Sequence, residues 1–311
     1  MPLNFAGEGG SLRSPEYLHA LVHYQLVDRT DLFSLGNVIS LGDAAGMGSD
    51  TANIASVDVN DAMTAPGEAA AVAVTALAVT AVQPAVARQA IRRQITDLMK
   101  LTGPSGSFNY DPAQIALDVV TAVILRRTAL IATEFANWSN SVGTTTVDLT
   151  VSDIYSAMFQ LQSTLNEPPF DCVLHQVQLN DFQTDLRGET GASAFSPATN
   201  AMLGAKPPGF VGTWNNIRFW TCDQVPTANA AADRNGAMFG PSAYGYLEAS
   251  VAGMLSADGS RIAPITVPEG SHVFVEFARQ SAEAMSQYTA NYYVGVVEME
   301  DDRGVAIITD A

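Results

Sequence analysis

The chain has 311 residues, 47% of them hydrophobic and only 15% charged, so it can bury a sizeable core as one large domain or two moderate ones, and disorder of the whole chain is excluded. Fifteen Lys plus Arg stand against 32 Asp plus Glu, a formal charge of -17 that repels phosphate backbones and disfavours sequence-independent nucleic-acid binding. The cations are almost all arginines, Lys100 and Lys206 being the exceptions, a usage that suits paired or interfacial positions.

Met1 to Gly10 carry no basic n-region and no apolar h-region, so no secretory signal is visible and a cytoplasmic setting is expected. A Gly-rich arm leads to Ser14, an N-cap, with Pro15 and Glu16 in the first turn and Leu18, Leu21, Val22 and Leu26 at helical spacing up to about Asp28. Such an arm builds no core alone and gains order by lying on something else. Between Phe33 and Phe108 there is no aromatic residue, and Val38 to Val82 reads as extended chain with turns at Gly46 to Gly48 and Pro66-Gly67. Ala69 to Val82 is too short for a bilayer span, and its small side chains with interleaved threonines suit a strand. At roughly 25 cal/mol per Å² of apolar surface, this segment does not offset the ~1–2 kcal/mol of backbone entropy per ordered residue. It is expected to be a long two-stranded loop laid over a neighbouring subunit, the alternative being a mobile surface loop.

Pro84 is read as a helix start, carrying Arg88, Arg92, Arg93 and Lys100 beside Val86, Ile91, Ile95, Leu98 and Met99 as far as Gly103-Pro104. Residues 81–130 hold six basic and three acidic groups, the one net-positive stretch of the chain, and an arginine row there would orient a second copy through its acidic surface. A solvated amphipathic face is the alternative. Asp111 and Pro112 open the longest helical run, through Ile115, Val119, Val123, Ile131 and Phe135 to about Asn140. Its apolar arc predicts cover on more than one side, and Arg126-Arg127 in its middle require partners or a wet groove.

Thr150 with Asp153 reads as a capping box for a helix containing Ile154, Ala157, Met158, Leu161 and Leu165, which ends at Glu167-Pro168-Pro169. A strand at Cys172 to Leu174, a helix at Leu179 to Leu186 and an irregular loop over 188–213 follow. Trp214 to Ile217 and Phe219-Trp220 read as a hairpin on an Asn215-Asn216 turn. Strands are expected at His272 to Phe277, Tyr292 to Val297 and Val305 to Ile308, the last after a turn at Asp301 to Gly304. The class is α+β.

Familiar catalytic patterns are missing from the sequence. His19 and His23 have a zinc-ligand spacing without the adjacent glutamate or a third ligand, and neither lysine follows a phosphate-loop glycine run. Gly236-Ala237-Met238-Phe239-Gly240 lacks the third glycine of a dinucleotide site. Cys172 and His175, three apart on an extended stretch, do not face each other as a thiolate and base would. Asn137-Trp138-Ser139 fits a glycosylation acceptor but falls on the long helix. Cys172 and Cys222 could pair in an oxidising compartment, yet a chain of this size needs no staple. No enzyme, metal or cofactor is expected.

In their order, these pieces resemble the tailed-bacteriophage major capsid proteins of the Hong Kong 97-like (Johnson) fold, most of all at Cys172 to Gln178, at the Gly212 to Pro226 hairpin with Asp223-Gln224-Val225-Pro226, and at Asn235 to Ala243. The resemblance implies an N-terminal arm (1–35), an extended loop (36–82), a peripheral domain with a long spine helix (83–149), an axial domain (150–250) and returning peripheral strands (251–311). It implies a virion shell of hexamers and pentamers, assembled in a host cytoplasm, with a portal, possible decoration proteins and double-stranded DNA enclosed without sequence-specific binding. The arginines Arg88, Arg92, Arg93, Arg126 and Arg127 are the expected intersubunit contacts. The extended loop has no lysine, which argues against covalent crosslinking through it, and the arm begins near Met1, so a separate scaffolding protein or an already processed chain is expected. An encapsulin-like compartment shares the fold; a cysteine hydrolase and a surface-layer protein are more distant alternatives.

Overall fold

A computed structural model describes residues 32–44, 51–57, 79–97, 112–164, 166–188, 195–197, 209–229, 232–250, 262–266 and 272–310. The expected helix at 14–28 with His19 and His23, the turns at 46–48 and 66–67, and Lys100 and Lys206 lie outside them. The described chain opens with a one-turn 3-10 helix at Leu32–Ser34. Strands β1 (Val38–Asp43), β2 (Ile54–Val57), β3 (Val79–Val82) and β4 (Ala87–Thr96) precede helix α1 (Pro112–Glu134). Next come β5 (Ser141–Val142), α2 (Val151–Ser163), β6 (Phe170–Leu174), α3 (Gln176–Gly188), β7 (Ser196–Pro197), β8 (Phe210–Trp214) and β9 (Ile217–Thr221). The chain finishes with β10 (Thr227–Ala228), β11 (Asp233–Phe239), β12 (Tyr244–Glu248), β13 (Ile262–Thr266), β14 (His272–Gln280), β15 (Met285–Glu298) and β16 (Gly304–Asp310).

Two large sheets organise these elements, as the α+β reading expected. The first runs β1-β12-β15-β14-β13, with β4 continuing beyond β12 along the edge of β15 opposite β14. The second runs β5-β16-β11-β6-β9-β8-β7, with β10 beside β11. Helix α1 covers one face of the first sheet: Val119, Val123, Ile131 and Phe135 share a core with Tyr288, Ala290, Tyr292 and Val294 of β15. Alternate residues of a strand face opposite sides, and β6 uses both. Phe170, Cys172 and Leu174 pack with Ile154 and Leu161 of α2 and Phe182 of α3, whereas Val173 joins the α1 core. Buried on both faces, β6 is apolar almost throughout, as the sequence run Cys172 to Leu174 foretold.

The arginine-bearing segment after Pro84 is a strand, not a helix. Ten residues of β4 pair antiparallel with β15, from Thr96 opposite Met285 to Ala87 opposite Val294. The long helix begins where expected, at Pro112, but stops at Glu134, and Trp138 folds in to bond Tyr244 Oη through its indole N–H at 2.6 Å. Beyond the helix, Trp138 lies against Gly304, where a Cβ would stand 2.1 Å from the indole ring.

Local predictions at the other end of the chain hold. Thr150 Oγ1 accepts from the Asp153 N–H at 3.3 Å and Asp153 Oδ2 accepts from the Thr150 N–H at 3.0 Å, a complete capping box. Asn215 and Asn216, with φ of 49° and 62°, make the two-residue turn between β8 and β9, the left-handed pair such hairpins require. Two strands cross between the sheets: β12 belongs to the first although it follows β11, and β16 returns to the second after β15. The extended segment is anchored at its start, since β1 pairs in parallel with β12 and buries Val38. Further along, β2 and β3 pair only with each other among the described residues, apart from a single bridge between Thr51 and Ala85.

Candidate assembly surfaces

Pairing of β4 with β15 divides the arginines between two faces of the sheet. Arg88 and Arg92 lie on the face away from α1, where Arg88 donates to Asn291 Oδ1 at 2.8 and 2.6 Å and Arg92 donates to Gln287 Oε1 at 2.9 Å. Gln89 and Arg93 face α1. Arg93 makes a two-bond pair with Asp118, both contacts 3.0 Å, and Gln89 Oε1 accepts from Arg126 Nε at 2.7 Å. The Arg93 guanidinium, helped by a hydrogen bond from Tyr288, holds the Asp118 carboxyl below its ordinary value. Arg126 borders a cleft between α1 and the sheet, lined by Ile91, Val123 and Ala290.

Arg127 corrects the expected contact set. Only 2% of it is exposed, its guanidinium reaching Glu248 Oε1 at 3.5 Å and lying over the rings of Phe33 and Tyr292 at 4.5 and 5.8 Å. The Tyr292 hydroxyl donates to the same Glu248 oxygen. Enclosed within its own chain, the group ties α1 to the Leu32–Ser34 turn, β12 and β15. The remaining four arginines are surface groups gathered around β4 and α1.

The alternative thiol chemistry fails on geometry. Cys172 and Cys222 are unpaired thiols, both buried, and burial raises each above its ordinary value. His175 is a helix cap: its Nδ1 accepts from the Val177 N–H at 3.4 Å, while Gln178 Oε1 accepts from the His175 N–H at 3.1 Å. Burial, then Arg234, depresses its imidazole, in keeping with a neutral acceptor ring. Gly236 to Phe239 lie inside β11, with a Cβ at Gly236 meeting Val173 O at 2.9 Å, so this stretch packs strand on strand.

Three features escaped the sequence reading. Asp171 is wholly buried and accepts from Arg218 through two bonds of 2.7 Å and from the Trp220 indole at 2.9 Å; burial pushes its carboxyl up against the pull of Arg218. Alternation in β6 and β9 is the signal that placed all three on one face. Glu298, at the end of β15, is pushed up to about 7 by burial, then by Asp301 and Glu134. Lastly, α2 turns Tyr155 and Phe159 outward, 43% and 71% exposed, away from its buried stripe of Val151, Ile154, Ala157 and Leu161. Helical spacing predicts that stripe, and it leaves both aromatics outside it.

Solved capsid and encapsulin structures share this fold over most of the chain. The mature capsid of bacteriophage PhiM1 superposes with a TM-score of 0.58 at 10% identity, over 90% of this chain and 87% of that one. The capsid of a native GTA particle gives 0.54 at 12% identity, over 100% and 95%. The SrpI encapsulin of Synechococcus elongatus PCC 7942 gives 0.56 at 14% identity, over 90% and 87%. No protein-family model matches the chain, and no curated protein is significantly similar to it in sequence. The fold is that of the Hong Kong 97-like capsid shells, as the motifs at 172–178, 212–226 and 235–243 suggested.

Proposed function

We propose that this chain is the major capsid protein of a tailed double-stranded DNA bacteriophage, assembling as hexamers and pentamers into a closed icosahedral head. The observation that carries the reading is the β2–β3 pair, two strands of four residues that, among the described residues, join neither large sheet although the chain on both sides of them does. An isolated two-stranded ribbon is marginal in water, so a neighbouring subunit supplies its missing surface. Likeness to capsids over nearly the whole chain supports the same conclusion.

On this reading residues 1–35 are the arm, 36–82 the extended loop, 83–149 the peripheral domain with α1 as spine, 150–250 the axial domain and 251–311 the returning strands. The bonded partners of Arg88, Arg92 and Arg126 among the described residues are neutral amides, which leaves their charge in place on the surface of an acidic chain. These three, with Arg93 at the edge of the patch, meet acidic surface of the next copy. Scaffolding protein, portal and decoration protein are the remaining partners, and DNA is enclosed by an acidic wall that does not grip it.

An encapsulin-like compartment is the second reading, favoured by the equally extensive likeness to the SrpI shell. Cryo-electron microscopy of particles from producing cells separates the two. DNA-filled heads with one portal vertex support the phage reading, whereas small shells filled with protein cargo overturn it in favour of the compartment.

A further inference from the structure

We propose that the cleft between α1 and the β4–β15 pair is a binding site for a small apolar monocarboxylate, its hydrocarbon part enclosed between helix and sheet and its carboxylate held by Arg126 and Gln89. All of the lining residues lie in one copy, so the site goes beyond the shell reading and does not rest on it.

The pairing that builds the sheet also builds the cleft. Ile91 of β4 stands opposite Ala290 of β15, and Val273 of β14 stands opposite Tyr292, which gives a floor of three adjacent strands. Helix α1 contributes Ala122 and Val123 as the facing wall. Ala122 and Ala290 offer only methyl groups where helix meets sheet, and the cleft holds about 180 Å³. An apolar cavity of about 150 Å³ already accepts benzene. There is room here for a phenyl ring or a short branched chain, which would lie against Val123, Val273 and Ala290, all of them buried.

The polar edge selects charge. Among the described residues Arg126 is the one charged group lining the cleft, so no lining carboxylate repels an anion from it. Arg126 Nε donates to Gln89 Oε1 at 2.7 Å, its one bonded partner among the described residues. That bond occupies the amide oxygen and leaves the terminal guanidinium N–H groups and Gln89 Nε2 as donors. A carboxylate accepts from both and matches the guanidinium charge, whereas a neutral hydroxyl matches only the hydrogen bonds. Arg88 and Arg92 lie on the other face of the sheet, and Arg93 is already paired with Asp118. A single cation therefore meets the ligand, which suits one negative charge rather than the two of a phosphate.

Saturation-transfer NMR on dispersed subunits of the full chain decides the matter, with 3-phenylpropionate as the probe and 3-phenylpropan-1-ol as its uncharged counterpart. The acid is expected to bind saturably with a Kd of about 1 mM, and the alcohol about tenfold more weakly. Arg126→Gln is expected to bring the acid down to the affinity of the alcohol and to leave the alcohol unchanged. Ala122→Phe fills the cleft and is expected to abolish binding of both, with the near-ultraviolet circular dichroism of the subunit unchanged. Absence of saturable binding, equal affinity of acid and alcohol for the wild type, or acid binding that is unaltered in both variants would overturn the proposal.

Discussion

Arg126 and Arg127 are adjacent in sequence yet meet opposite environments, because successive residues of a helix point about 100° apart. Arg126 stays at the rim of a cleft and Arg127 is sealed beneath Phe33 and Tyr292 with Glu248. Removing one member of a buried pair leaves the other charge uncompensated, so Arg127→Ala is expected to cost about 3 kcal/mol in denaturant unfolding, whereas Arg126→Ala costs under about 1 kcal/mol. Equal, small losses would contradict the placement. Glu298 supplies a pH test. Its pKa rises from an ordinary 4.5 to about 7, so the folded chain holds this proton more tightly than the unfolded one. Its contribution is full below about 4.5 and is lost as pH climbs to about 7. Glu298→Gln is expected to flatten the fall in Tm across that window and to raise Tm above it; coincident pH profiles for mutant and wild type would refute this. The capping box at Thr150 was legible because both partners lie within one turn. The Arg127–Glu248 pair was not, since its members are 121 residues apart and meet only through tertiary packing.

Strand β4 shows where pattern reading reaches its limit. Val86, Ile91 and Ile95 with their arginines fit a helical spacing, but the alternation of Arg88, Ala90 and Arg92 with Gln89, Ile91 and Arg93 fits a strand equally well. The deciding term is the fourteen-residue β15, whose free edge β4 satisfies with ten paired residues. Elements set by local chemistry were readable: the Asn215-Asn216 hairpin, the two-sided β6 and the alternating β14, β15 and β16. The β2–β3 pair carries its own prediction. Amide hydrogens at 54–57 and 79–82 are expected to exchange rapidly in dispersed subunits and slowly in assembled shells. Strong protection in the dispersed state would show that the hairpin needs no neighbour.

At the scale of the whole molecule, an acidic chain assembles only if its contacts are uncharged or draw on its few cations. Replacing Arg88, Arg92 and Arg126 together by Gln is expected to weaken assembly at low ionic strength and to leave it nearly unchanged at about 1 M salt, where screening already removes the attraction. Light scattering over a salt series measures this; a loss independent of salt would contradict an electrostatic role. The incompleteness of the subunit underlies all of these expectations and is tested most directly by sedimentation velocity of the purified protein over a wide concentration range, with imaging of the fast fraction. Closed shells in equilibrium with small oligomers are the predicted result. A compact monomer at every concentration, with β2 and β3 already protected from exchange, would contradict it.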